Sequence, residues 1–223
     1  MLSLDDIYIA YQPIWDMVNN LVFGYEAFLR GSLSTEIMLK DAVQEKVVCE
    51  LDAKIHQLSI QTLPSTYSKL LFLNVHPCSL HRLLNHVDYT NFTGGIVLEI
   101  TECERISTDV LIRFCEEAKR RNLFVAIDDF GAGYNNISVL EVIKPDFIKI
   151  DKSIIQSKSS RLIRNYIQLV LEWASENNTL IIAEGIETKQ QLQFCKDLKI
   201  QYAQGFLLGK PSSIPFAQDV QAL

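Results

Sequence analysis

Seven short apolar runs in this chain carry a polar or charged residue at or near their C-terminal end. Glu26 lies in Val22-Phe23-Gly24-Tyr25-Glu26-Ala27-Phe28, Asn74 follows Leu71-Phe72-Leu73, and Glu99 follows Ile96-Val97-Leu98. Asp128 and Asp129 follow Phe124-Val125-Ala126-Ile127, and Lys149 lies within Phe147-Ile148-Lys149-Ile150. Glu184 follows Ile181-Ile182-Ala183, and Gln204 follows Tyr202-Ala203. Any one such carboxylate is readily the first solvated residue of a loop or a helix cap. Recurrence over so many runs points instead to a shared site.

The charges limit what that site does. Glu26, Glu99, Asp128, Asp129 and Glu184 would bring five carboxylates to one mouth, and Lys149 offsets only one. Each uncompensated, partly buried charge costs on the order of several kcal/mol. Two divalent cations make the formal sum zero. Oxygen donors, with Asn74 giving a carbonyl and no Cys or His included, favour Mg²⁺ or Mn²⁺ over zinc. Two such ions about 3.5–4 Å apart activate water and stabilise the leaving oxygen in phosphodiester cleavage.

These groups meet only if the elements carrying them share one end. Strands are expected at Ile7–Ile14, Leu21–Leu29, Leu70–Val75, Gly95–Ile100, Leu123–Ile127, Phe147–Ile150, Leu180–Ala183 and Tyr202–Leu207. Continuous β-branched runs such as Ile96-Val97-Leu98-Glu99-Ile100 suit strands covered on both faces. Helical patterns fall at Asp109–Arg121, with Ser107 as its cap, and at Arg161–Ala174 and Thr188–Leu198. Only Val18-Asn19-Asn20 separates the first two strands, so they form an antiparallel hairpin. Later strands are joined through helices and should be parallel. The pattern fits a (β/α) barrel with one irregular pair, and active sites of that architecture gather at the C-terminal rim. Spacing alone leaves a doubly wound open sheet as the alternative.

Composition narrows the partners. The 223 residues suit one domain over 1–223, with 48% apolar residues and 27 Asp and Glu against 21 Lys and Arg. An acidic chain is not drawn to duplex nucleic acid, and an anionic ligand needs local cations. Cys49, Cys78, Cys103, Cys115 and Cys195 are scattered without a CxxC pair, as in a reduced, cytoplasmic protein. The start lacks a signal-peptide layout, and no apolar run is long enough for a membrane span.

These segments resemble the EAL domain family of cyclic di-GMP phosphodiesterases. The likeness runs from Tyr11-Gln12-Pro13-Ile14 to Gly209-Lys210-Pro211 and includes Gly24–Arg30, Leu73-Asn74-Val75 and Leu98–Glu102. It continues through Ile127–Tyr134, Ile148–Asp151, Ala183–Thr188 and Gln204–Pro211. The resemblance implies a TIM-like (β/α)8 barrel with an antiparallel first strand, in which Glu26, Asn74, Glu99 and Asp128 bind metal, with Asp128 bridging to a second ion shared with Asp129. Lys149 would position the attacking water, and Glu184 would be general base or a ligand of the second ion. Gln204 would complete the site, Gln12 and Arg30 would face the substrate, and Glu102 would support the loop after Asp129. The implied reaction opens cyclic di-GMP to linear pGpG with Mg²⁺ or Mn²⁺; relatives often form homodimers.

The chain departs from the family pattern at Phe28, where the name motif has Leu, and in a shortened segment after Arg30. Ala132, Asn135 and Asn136 replace commoner Thr and Ser residues, and His76-Pro77 stands where Ser is frequent. These changes motivate a rival reading, a non-catalytic module that binds the dinucleotide or a protein. Other matches are thin. Asp129-Phe130-Gly131 resembles a kinase metal motif but lacks its companions. Gly131-Ala132-Gly133 has Asn136 at the last glycine position of a dinucleotide fingerprint. His56, His76, His81 and His86 show no ligand spacing and read as packing or surface residues. Asp151 and Glu187 read about equally as caps or supporting acids and as direct metal ligands.

Overall fold

A computed structural model describes residues 7–101, 107–132, 137–157 and 160–213. Its eight strands close into a barrel in chain order, which excludes the open sheet. They are β1 (Tyr8–Asp16), β2 (Leu21–Arg30), β3 (Leu70–Val75), β4 (Ile96–Ile100), β5 (Phe124–Phe130), β6 (Phe147–Ile150), β7 (Leu180–Ala183) and β8 (Tyr202–Gln204). β1 runs antiparallel to both β2 and β8, and every other neighbouring pair is parallel. The hairpin turn is built by Asp16, whose Oδ1 accepts the amides of Val18 and Asn19, and by Asn20 at φ 54°.

The helices are α1 (Thr35–Gln44), α2 (Val48–Gln61), α3 (Thr108–Arg120), α4 (Ile137–Ile143), α5 (Lys152–Gln156), α6 (Arg161–Asn177) and α7 (Lys189–Asp197). Ser107 occupies the N-cap of α3 but makes no side-chain capping bond, whereas Thr188 and Gln191 form a full capping box on α7. The crossover from β3 to β4 contains no α-helix. Two 3₁₀ turns, Pro77–Ser79 and Leu83–Asn85, span it instead. β8 also ends earlier than its apolar run, because the chain turns at Gly205 around Ile186. A Cβ at Gly205 would lie 2.2 Å from the Ile186 N and O atoms, so only glycine fits that crossing. Among the described residues no helix is long and apolar enough to cross a membrane.

Strand alternation explains how one sequence makes both a core and a site. Outward residues such as Leu71, Leu73, Leu98, Val125, Ile148 and Ile181 pack in the main core, which joins barrel to helices. Inward residues Ile14, Phe72, Val97, Ala126, Phe147, Ile182 and Tyr202 form a second cluster that fills the lumen. Two positions further along each strand, the same inward parity yields Asn74, Glu99, Asp128, Lys149, Glu184 and Gln204. On the reversed strand β1, Gln12 is reached two residues before Ile14, and it pairs in register with Glu26. The polar rim therefore sits one layer above an apolar plug.

Candidate active site

Lys149 is the centre of the rim. Its Nζ lies 2.9 Å from Glu26 Oε2, 2.8 Å from Glu99 Oε1, 3.1 Å from Asp128 Oδ1 and 2.8 Å from Glu184 Oε1. The lysine is 1% exposed, so solvent screens these contacts little. Glu26 is held from three sides: Asn74 Nδ2 donates to Oε1 at 2.9 Å, while Gln204 Nε2 at 2.8 Å and Lys149 share Oε2. Gln204 Nε2 also donates to Gln12 Oε1 at 3.1 Å, and Gln12 Nε2 donates to the Gly209 carbonyl. Seven of the eight strands thus supply a member of one network through β1, β2, β3, β4, β5, β6 and β8, and Glu184 directly after β7 completes the ring.

Adjacent residues on a regular strand point to opposite faces, yet both Asp128 and Asp129 line the same cavity. The β5–β6 register supplies the reason. Ile127 pairs with Ile148 and Phe130 with Ile150, so two residues of β5 oppose Lys149 alone. This is a β-bulge, a feature that re-aims side chains beside active sites. Asp129 takes the left-handed conformation at φ 50°, which Asp tolerates better than most residues. Asp151, directly after β6, caps α5 through its 2.8 Å bond from the Ser153 amide and also hydrogen-bonds Asp129.

The cluster is short of positive charge. Burial drives the Glu99 carboxyl well above its ordinary value, with the neighbouring Glu26 charge adding to it. Burial likewise raises Asp128, takes Glu184 to about 8, and takes Asp129 to about 6 with help from the charges of Asp128 and Asp151. Burial opposes ionisation of Glu26 too, but there the Lys149 charge and the bonds from Lys149, Asn74 and Gln204 prevail and lower its pKa. Lys149 is held ionised despite burial by Asp128, Glu184, Glu26 and Glu99.

Such a site suits hard cations. Glu99 is fully buried, and its Oε2 has no hydrogen-bond donor among the described residues. Asp128, Asp129 and Glu184 each place one oxygen within 4.8 Å of the others. A divalent ion would take the place of the protons that the raised pKa values retain. The donors facing Lys149 are all carboxylate oxygens, the chemistry of Mg²⁺ and Mn²⁺ sites.

Above the acids opens a cavity of about 550 Å³, whose walls include Phe28, Leu39, Ile55, Thr101 and Phe206. Phe28 marks itself in the sequence only as a departure from the family pattern, whereas apolar wall residues such as Leu39 and Ile55 carry no signal that separates them from core. Glu187 also lines the cavity. Arg30 is not brought in: its guanidinium donates to the Leu29 carbonyl at 2.9 Å and lies 5.3 Å from the Phe28 ring centre. Glu102, Asn135 and Asn136 lie outside the described residues.

Residues 1–211 match the EAL domain family, and the chain belongs to it. A relative from Escherichia coli (strain K12), PdeD, described as a probable cyclic di-GMP phosphodiesterase, is 27% identical over 216 residues. That match covers 90% of this chain but 40% of PdeD, so the chain spans less than half of that relative. BlrP1 of Klebsiella pneumoniae, solved as a manganese/cyclic di-GMP complex, superposes with a TM-score of 0.81 at 25% identity, over 95% of this chain and 57% of that one. The FimX EAL domain of Xanthomonas citri, in complex with cyclic di-GMP, shares the fold at a TM-score of 0.83, with 20% identity over 94% of this chain and 89% of that one.

Proposed function

We propose that this chain hydrolyses one phosphodiester bond of cyclic di-GMP, releasing linear pGpG. The observation that carries the reading is the buried Lys149 ammonium within 2.8–3.1 Å of four carboxylates from β2, β4, β5 and the end of β7, at the floor of the cavity. Support comes from the names of the matched relative and of BlrP1, which carry the same dinucleotide.

Glu26, Asn74, Glu99, Asp128, Asp129 and Glu184 would hold two ions, Mg²⁺ or Mn²⁺. Bound there, such ions supply Lewis-acid activation of water and of the phosphate. The chain's own groups do the rest. Lys149 orients the attacking water, its Nζ fixed by the surrounding acids. Glu184 reaches the cavity from the end of β7 and takes a proton from that water. Attack at phosphorus breaks the bond to one ribose oxygen, which takes up a proton from solvent and leaves as a hydroxyl, while Glu184 returns its proton to solvent. Gln12 and Gln204 present amides to the ligand on the side opposite Asp128 and Asp129. Arg30 would join as a phosphate ligand by releasing the Leu29 carbonyl; its planar fork of donors fits that anion.

Incubation of pure protein with cyclic di-GMP and Mn²⁺, followed by chromatography, should yield pGpG. Binding without product over a range of pH and metals would replace this reading with that of a non-catalytic module.

A further inference from the structure

The β3 strand end that carries Asn74 is gripped from outside the barrel. His56 and Asp52 lie four residues apart, hence one turn apart on α2, and both are buried. His56 Nε2 lies 2.8 Å from the Asn74 carbonyl oxygen, and Asp52 Oδ2 accepts the His76 amide at 2.9 Å. One helix face thus holds the two backbone groups that flank Val75.

The tautomer of His56 follows from its partners. A carbonyl only accepts, so Nε2 must carry the proton and donate. Nδ1 is then an acceptor, and the Tyr89 hydroxyl, 2.8 Å away, donates to it. Tyr89 comes from the segment between the second 3₁₀ turn and β4, so the chain of bonds ties that segment, α2 and β3 together. Apolar residues of similar size would fill the same space, as Leu51 and Ile55 do on the same helix face. What His56 adds is direction: a donor aimed at one peptide group whose side chain holds Glu26.

We propose that His56 and Asp52 are positioning residues: they clamp the β3 backbone on either side of Val75 and so set the Asn74 amide against Glu26 Oε1. The inference rests on the reading of Glu26 and Asn74 as cation ligands, although the clamp itself is made of protein groups alone. Partners that orient metal ligands typically contribute 10- to 100-fold to affinity or activity.

The test compares His56→Leu, which keeps bulk and loses the donor, with His56→Gln, which keeps a donor on a side chain of similar reach. In crystals of the metal-free proteins, His56→Leu should separate Asn74 Nδ2 from Glu26 Oε1, and His56→Gln should retain the contact. By calorimetry with Mn²⁺ alone, His56→Leu should bind at least about tenfold more weakly, with most of the loss recovered in His56→Gln. Cys195→Ala, a buried change on α7, controls for general destabilisation and should bind Mn²⁺ as the parent does. If His56→Leu does not fold, Tyr89→Phe removes only the hydroxyl that fixes the tautomer and should weaken Mn²⁺ binding by a smaller factor. An unchanged Asn74–Glu26 contact in His56→Leu, or in Tyr89→Phe when that variant stands in, overturns the proposal, as does a His56→Gln variant no better than His56→Leu. Parent protein that binds Mn²⁺ yet makes no pGpG would sink the proposed reaction and leave the clamp to be judged on contact and affinity.

Discussion

The lumen plug and the rim above it are built from the same inward-facing strand positions, two residues apart, yet they answer opposite demands. In the plug, Phe72 and Phe147 pack edge to face at 5.3 Å, and every member except Tyr202, with its hydroxyl, is wholly apolar. In the rim, four carboxylates crowd one ammonium with Asp129 beside them, and burial raises the pKa of most of the five. The lower layer is arranged for stability. The upper one accepts electrostatic strain that a bound cation would relieve. Substitutions should therefore separate stability from activity according to the layer they touch.

The largest separation is expected at Lys149. Lys149→Met removes the cation from four acids and should lower turnover at least about 10²–10³-fold, the scale of losing one aimed electrostatic group. Steady-state kinetics with purified, folded protein check this. In the plug, Phe72→Ala should cost about 3–5 kcal/mol of stability by denaturant unfolding, through lost burial and a cavity. Turnover by its folded fraction should remain near that of the parent. Equal losses of activity at Phe72 and Lys149 would erase the contrast between layers.

Glu99→Gln sharpens it further. The Glu99 carboxyl is already pushed toward its neutral form, so an isosteric amide should leave metal-free stability unchanged or raise it by about 1 kcal/mol. Mn²⁺ binding should weaken all the same. A smaller effect follows from proton competition. Glu184 and Asp129 hold their protons up to about 8 and about 6, and an entering cation must displace them. Mn²⁺ affinity should rise as pH goes from 5 to 8 and level off above, with protons released on binding. Calorimetry in buffers of different ionisation enthalpy reads both; affinity independent of pH would contradict the assignment.

Much of this was legible in the residues because two regular patterns coincide. Strand alternation carried Val97 and Glu99, or Phe147 and Lys149, to the same face, and the short hairpin linker required β1 to run backwards. The irregular features were not legible. Nothing in Ile127-Asp128-Asp129-Phe130 marks the bulge that turns consecutive acids into one cavity. The β3–β4 crossover has no α-helix because its residues spend their length on 3₁₀ turns that leave no helical period to read. Arg30 has the right chemistry for phosphate, but its orientation depends on Phe28 and the Leu29 carbonyl, contacts that spacing does not reveal. His56 read as a packing or surface histidine, and it is buried; that both ring nitrogens are committed emerges only when Tyr89 and Asn74 are seen beside it.

The most direct measurement is anomalous scattering at the manganese edge from crystals grown with Mn²⁺ and cyclic di-GMP. Peaks bounded by Glu26, Asn74, Glu99, Asp128, Asp129 and Glu184, with a phosphate of the dinucleotide against them, are the predicted result. Crystals holding the dinucleotide with no manganese peak at those residues would contradict the account.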